Sequence, residues 1–328
     1  MNNLKLLVGR GDPFYEYTEL TTRLVFSGRK GAAPRSIDVT LYDSENLGSV
    51  RTTIDCGSGQ TCVLYDNGKE IFRGLLMKEV YNSKRTLSIK AYDNGIRLCN
   101  NKGSFSYKKK RADQIFRSCC KKLGLKVGGT VNTKHTIGEL LKKNTTYWDV
   151  IEDALSQTYK ATGRRYYVFS EKGKLYLKRR VEQKSMPILE LSTNILSYDR
   201  TRSIENTRTR LTLKTSKGKK KGSTANEKLE KKIGKFREVE TVDSDITKTE
   251  IKQRIRTFKE ETGIINQELK ITAEGDTSVI SGGCVYVYIP EICAKRVMYV
   301  DEDTHTFEKG KHTMVLKLNY AKDIDKAG

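Results

Sequence analysis

The sequence predicts an α+β protein that is mainly β, with two antiparallel β units separated by a small α+β module. Three observations predict it. Apolar and polar residues alternate with period two from Tyr17 to Tyr92, the period changes to helical spacing near residue 112, and alternation returns from residue 187 to the C-terminal end.

In the first unit, TRLVF (22–26), SIDVTLY (36–42), TCVLYDNGKEIFRGLL (61–76) and RTLSIKAY (85–92) each read as half-buried strands cut by Gly, Asn and Asp. Asp66-Asn67-Gly68-Lys69 marks a tight hairpin, because Asn-Gly readily takes the two positive φ angles that a twisted pair of strands requires. Next, ADQIFRSCCKKLG places Ile115, Phe116, Cys119, Cys120 and Leu123 on one helical face, with Gly124 at the position of a left-handed C-terminal cap. A second helix starts near Thr146, where TYWD resembles a capping box with Asp in place of Glu. It carries Trp148, Ile151 and Leu155 on one face and ends at Gly163. RRYYVFSEKGKLYLKRR (164–180) then reads as a hairpin turning at Lys172-Gly173. Strands resume at PILELS, ILSYDRT and TRTRLTLKT. The low-complexity run SKGKKKGST (216–224) reads as a flexible loop tip, and a helix is expected over 246–262. INQELKIT, GGCVYVYIP, RVMYVDED and HTMVLKLNY complete the second β unit, which is thus split by an insertion at about 216–263.

Composition narrows the function classes. The 328 residues allow two or three domains, and 36% hydrophobic with 31% charged residues fits folded, soluble units. A surplus of 62 Lys and Arg over 40 Asp and Glu gives a net charge of +22, a field that draws acidic partners. The seven cysteines contain no CxxC pair, so neither a disulfide framework nor a zinc knuckle is signalled. The apolar run near the N-terminus is too short for a signal peptide and no segment is long enough to span a membrane, so synthesis in the cytoplasm is expected.

Candidate sites are few. DEDTHTFEKGKHTMVLKL (301–318) holds two of the three histidines. Turned at Lys309-Gly310, it sets Phe307 opposite His312 and His305 opposite Met314. His305, Phe307, His312, Met314, Leu316 and Leu318 then share one face and bury together, with Thr304, Thr306, Glu308, Lys311, Thr313 and Lys317 on the other. Asp301 and Asp303 have no assured reach to the histidines, so these read as packing residues and no metal ligand is assigned. Arg164, Arg165, Tyr166, Tyr167, Phe169, Tyr176, Lys178, Arg179 and Arg180 interleave charge with rings, as a stacking platform for single-stranded nucleic acid would. The alternative function is therefore a basic single-stranded nucleic-acid-binding β protein. Lys108 to Arg111 and Lys217 to Lys221 read as solvated loops. No GxSxG, HExxH or Walker loop occurs, and Glu152 and Asp153 are adjacent on a helix and point apart, so no catalytic residue and no cofactor is implied.

GGCVYVYIP followed by MYVDEDTHTFEKGKHTMVLKL resembles the closing stretch of the XkdQ/YqbQ-like baseplate hub proteins of contractile phage tails and phage-derived bacteriocins, themselves distantly related to the late-control D proteins. The resemblance extends through TYWDVIEDALSQTYKATGRRYYVFSEKGKLYLKRR and SYDRTRSIENTRTRLTL. It implies two tube-type antiparallel β-barrels, at 1–105 and 186–328, around an α+β module at 106–185. It further implies a non-enzymatic homotrimer that joins a hexameric tail tube to a trimeric spike within a virion tail or bacteriocin particle. Its partners would be the spike, the tube or tube-initiator protein, the tape-measure protein and other baseplate proteins, with no membrane contact and nucleic acid only passing through the lumen.

Overall fold

The computed structural model describes residues 4–11, 13–31, 34–42, 56–83, 86–180 and 186–319. Arg85, Tyr320 and the expected boundary at residue 185 lie outside the described residues.

The first unit comprises β1 (Leu4–Gly9), β2 (Tyr15–Glu16), β3 (Thr21–Arg29), β4 (Ser36–Tyr42), β5 (Thr61–Asp66), β6 (Lys69–Asn82) and β7 (Thr86–Asp93). Alternation in the sequence becomes alternation in burial. In β4 Ile37, Val39 and Leu41 face inward, and in β7 Leu87, Ile89 and Ala91 do. The antiparallel order β3-β4-β7-β6-β5-β1 curls back on itself. Where β1 meets the segment entering β3, Tyr17 N–H donates to Leu6 O (2.9 Å) and Leu6 N–H to Thr18 Oγ1 (3.0 Å). Leu6, Leu24, Phe26, Ile37, Leu64 and Phe72 fill the interior. Each such side chain contributes about 1.5–3 kcal/mol through burial.

The middle module contains α1 (Ile96–Asn100), β8 (Lys102–Arg111), α2 (Ala112–Lys122), β9 (Val127–Thr130), β10 (Thr136–Thr146), α3 (Tyr147–Thr162), β11 (Tyr166–Glu171) and β12 (Lys174–Arg179). Both expected helices are present with their expected ends. Gly124 follows α2 at φ +62°. Thr146 and Asp149 form the capping box of α3, and Gly163 closes that helix at φ +71°. A sequence reading of Lys108 to Arg111 as a loop is corrected: these residues belong to β8, which pairs with β10 in a two-stranded ribbon. Their side chains run on outside the core, so the charge pattern could not reveal the strand. Leu98 and Phe105, expected in the first unit, pack in the middle core with Phe116, Trp148 and Ile151.

The second unit contains β13 (Ile188–Glu190), β14 (Ile195–Ser203), β15 (Arg210–Thr215), β16 (Lys220–Ala225), α4 (Glu227–Ile233), β17 (Arg237–Val242), α5 (Lys248–Thr257), β18 (Asn266–Glu274), β19 (Cys284–Ile289), β20 (Ala294–Glu308) and β21 (Lys311–Asn319). Here β14-β18-β21-β20-β19-β13 curl in the same way, and a bridge between Leu191 and Ile195 brings the two ends together. Leu269, Ile271, Val285, Val287, Met298, Leu316 and Leu318 form the core. The insertion differs from expectation. SKGKKKGST is largely strand β16 after a short turn, not a loop tip, and β15 leaves the barrel to pair with β16 and β17. Leu211, Leu213, Val242 and Phe258 give this sheet a small core of its own, so the folded insertion spans 204–265. In β16 Lys220 is exposed and Lys221 half-buried, and glycine and serine in the same run hid the strand signal. The expected helix over 246–262 is α5 continued by a π-helical turn, Phe258–Thr262.

Candidate functional site at the seam between the two barrels

The two curled sheets are one sheet. Residues 294–299 of β20 pair with β19, and residues 302–308 pair with Arg23–Arg29 of β3, while β21 runs along the opposite edge. The change of partner falls at a register shift between Val300 and Glu302. An extra residue there, Asp301, bends the strand out of one barrel and into the other, which is what a β-bulge does. Lys30 N–H donates to Asp301 O (2.7 Å), fixing the end of β3 at the bulge.

The C-terminal hairpin has the register expected from its sequence, with Phe307 opposite His312 and His305 opposite Met314. Lys309 and Gly310 take φ +50° and +76°, a pair of positive angles that suits a two-residue turn. One expectation is corrected: Phe307 does not share a core with Met314, Leu316 and Leu318. Phe307 packs in the first barrel and the other three in the second. The hairpin face is continuous, but the bulge carries it across the seam.

Between those two cores lies a polar cluster that the sequence did not reveal. Asp303, 1% exposed, accepts from Arg35 Nη1 at 2.9 Å, from Arg35 Nη2, and from the backbone N–H of Ser281 at 2.6 Å. Arg35 reaches it from the first barrel by crossing Gly28, where a Cβ would stand 2.4 Å from Nη1, and it stacks over Phe26 at 4.2 Å. The Arg35 backbone is held by Asp93, whose carboxylate accepts Arg35 N–H at 3.0 Å and Gly95 N–H at 2.7 Å. Burial pushes that carboxyl up to about 6. A buried Arg–carboxylate pair with two parallel bonds fixes geometry more than it adds stability.

His305 lies beside this pair, with Nε2 3.5 Å from Asp303 Oδ2 and 2.9 Å from Val279 O. A carbonyl only accepts, so Nε2 carries the proton and Nδ1 is left as an acceptor. His312 Nε2, 3.2 Å away, then donates to it. The two rings therefore form a directed chain of hydrogen bonds, and His312 stacks on Phe307 with centroids 3.8 Å apart. Burial holds both histidines below their ordinary pKa. For His312, with His305 adding repulsion, the value is about 4. Gly275 N–H donates to His312 O at 3.0 Å, and a Cβ at Gly275 would stand 2.0 Å from the His312 ring, so the residue there must be small.

The fold divides the interleaved basic and aromatic run into two groups. Arg165 pairs with Glu261 of the π-helical turn, and Arg180, 2% exposed, pairs with Asp301 at 2.9 Å and donates to Val300 O at 3.0 Å. Tyr159 donates its hydroxyl to the same Glu261 and lies under Arg165, with 4.8 Å from the guanidinium carbon to the ring centre. Phe169 stacks on Tyr176 at 5.1 Å beneath Lys178. Tyr167, Phe169 and Tyr176 form a row, with Tyr167 and Phe169 centroids 5.6 Å apart, but each ring is half-buried, where a bound single strand needs open ring faces.

Comparison with known proteins agrees with this architecture. The chain is 36% identical over 308 residues to the phage-like element PBSX protein XkdQ of Bacillus subtilis (strain 168), covering 92% of this chain and 94% of that one. Its fold matches the 43 kDa tail protein of prophage MuSo2 from Shewanella oneidensis (TM-score 0.73, 15% identity, 96% and 97% of the two chains). It also matches the tail protein of Neisseria meningitidis MC58 (TM-score 0.74, 15% identity, 97% and 96%). By name these are a phage-like element protein and two tail proteins. Among the described residues no helix is long and apolar enough to cross a membrane. With the family pattern matched over residues 24–319, from within β3 through the module to the end of the second barrel, the chain belongs to the YQBQ-like family.

Proposed function

We propose that this protein is a structural baseplate hub of a contractile tail or phage-like bacteriocin, assembling as a closed homotrimer between a hexameric tube and a trimeric spike. One observation carries the reading: a single chain supplies two six-stranded curled sheets set side by side and joined through β3 and β20. Three such chains about a threefold axis present six barrels, a ring that a sixfold tube can stack on, while the chain itself keeps threefold symmetry for the spike. Likeness to tail proteins supports the same setting. On this reading the three-part division of the chain, two barrel units about a module, is functional: the barrels form the ring and the module and insertion reach the neighbouring proteins. Assembly is into the particle, with the tube, spike, tape-measure and other baseplate proteins as partners.

Native mass spectrometry of the chain co-expressed with the tube and spike proteins of its particle tests this. Three copies per complex are expected, and a complex holding a single copy would refute the hub assignment.

A further inference from the structure

Where the first barrel, the middle module, the insertion and the second barrel meet, they line a partly open cavity of about 230 Å³. Lys30 and Gly31 from the end of β3, Trp148 and Tyr159 from α3, and Tyr167 from β11 form walls, with Arg165 and Arg180 at the ends of the β11–β12 hairpin. Four cations line it (Arg29, Lys30, Arg165, Arg180) against two carboxylates, Glu152 and Glu261. Glu261 is already engaged by Arg165 and Tyr159. Burial, with Asp149 nearby, raises the pKa of Glu152, so its charge opposes an anion less than an ordinary glutamate would.

With Asp301 counted, which pairs with Arg180, four cations face three carboxylates, so one positive charge is in excess. Arg180 spends Nη2 on Val300 O and Asp301, and its guanidinium lies over Tyr299 at 4.0 Å, but the buried Nε and Nη1 hydrogens have no partner. A buried unpaired N–H on a charged group is costly, and native structures leave few of them without a reason. Lys30 is itself exposed, yet it lines the pocket near Arg165 and Arg180. Desolvation, reinforced by Arg165 and Arg180 and opposed by Asp301, lowers its pKa to about 8. Trp148 is held in place by its indole N–H, which donates to Gly31 O at 3.2 Å.

We propose that this cavity is a binding site for a small oxyanion, a phosphate or a carboxylate, held by Lys30, Arg165 and Arg180 beneath the rings of Trp148 and Tyr167. The bound charge would satisfy the free donors of Arg180 and offset the surplus of cations. Because the walls come from four parts of the chain, it would also tie the module and insertion to the seam.

Trp148 is the only tryptophan in the chain, so its fluorescence reports on the cavity wall alone. Full-length protein is titrated with sodium phosphate and, separately, with sodium propionate, at ionic strength held constant with chloride. A saturable change with either anion is expected, and which anion produces it separates the phosphate from the carboxylate form of the site. The midpoint should rise at least tenfold in Lys30→Gln and be retained in Lys30→Arg. On the unaltered protein, the effective anion should protect Lys30 from an amine-acylating reagent, read by peptide mass spectrometry, with the same midpoint. No saturable change with either anion, an unmoved midpoint in Lys30→Gln, or Lys30 acylated at the same rate with and without anion would overturn the assignment.

Discussion

At the scale of single residues, the seam depends on Arg35 and Asp303, which are far apart in sequence and bonded only because β3 and β20 pair. Replacing Arg35 with Met leaves Asp303 buried with only its backbone donor and the neighbouring His305. A loss of about 3–5 kcal/mol is expected in urea unfolding. The double variant Arg35→Met with Asp303→Leu should recover most of that loss, since it removes both charges together. If the double variant were no more stable than the single one, the pair would be supplying net stability and not geometry. The histidines give a pH signature. His312 falls from an ordinary value near 6.5 to about 4 on folding, so the unfolded chain binds more protons between those limits. Its stabilising contribution is full above about pH 6.5 and is lost as pH falls toward 4. Asp93, raised to about 6, has the opposite sign, stabilising at low pH and losing that contribution as pH rises toward 6. The informative quantity is therefore the contrast with His312→Gln, whose stability should fall less between pH 6.5 and 4 than that of the parent. Equal acid sensitivity in the two proteins would mean that His312 does not titrate as its burial requires.

At the scale of elements, what could be read from sequence was what local chemistry decides. DNGK, EKGK at 171–174 and EKGK at 308–311 all became two-residue turns with both φ angles positive, because glycine follows a residue that tolerates the left-handed region. The helix ends at Gly124, Thr146 and Gly163 followed from capping, again a matter of adjacent residues. What stayed hidden were relations between distant segments. That β20 leaves one barrel for the other depends on a bulge at Asp301 with no turn residue to mark it. That Arg35 meets Asp303, 268 residues further on, depends on the pairing of β3 with β20. β8, β10 and β16 were missed because lysine-rich, solvated strands lack the alternation that betrays a half-buried one. The insertion offers a direct test. Ser203 pairs with Asn266 across β14 and β18, so the insertion leaves and re-enters the barrel at adjacent positions. Replacing 204–265 with Asn-Gly should give a β14–β18 hairpin and a folded barrel, seen as a cooperative melt with strand-type circular dichroism. A molten, non-cooperative product would show that the small core of Leu211, Leu213, Val242 and Phe258 is required for the barrel to form.

At the scale of the whole molecule, the continuous sheet and the net charge of +22 act together. A sheet that runs through both barrels makes them a rigid pair, since separating them would break the β3–β20 ladder and expose Phe307 and the Arg35–Asp303 bond. Rigid spacing of two like barrels is what a threefold ring needs in order to mimic sixfold symmetry. In the proposed assembly the positive field would draw the ring toward acidic faces of its neighbours, so association with them should weaken as salt rises. The measurement that tests the central claim most directly is a cryo-electron microscopy reconstruction of the assembled baseplate, refined without imposed symmetry. The account predicts three copies of this chain around the axis, their first and second barrels alternating as six equivalent positions beneath the tube. Six copies, each placing one barrel in the ring, or a single copy off the axis, would contradict it.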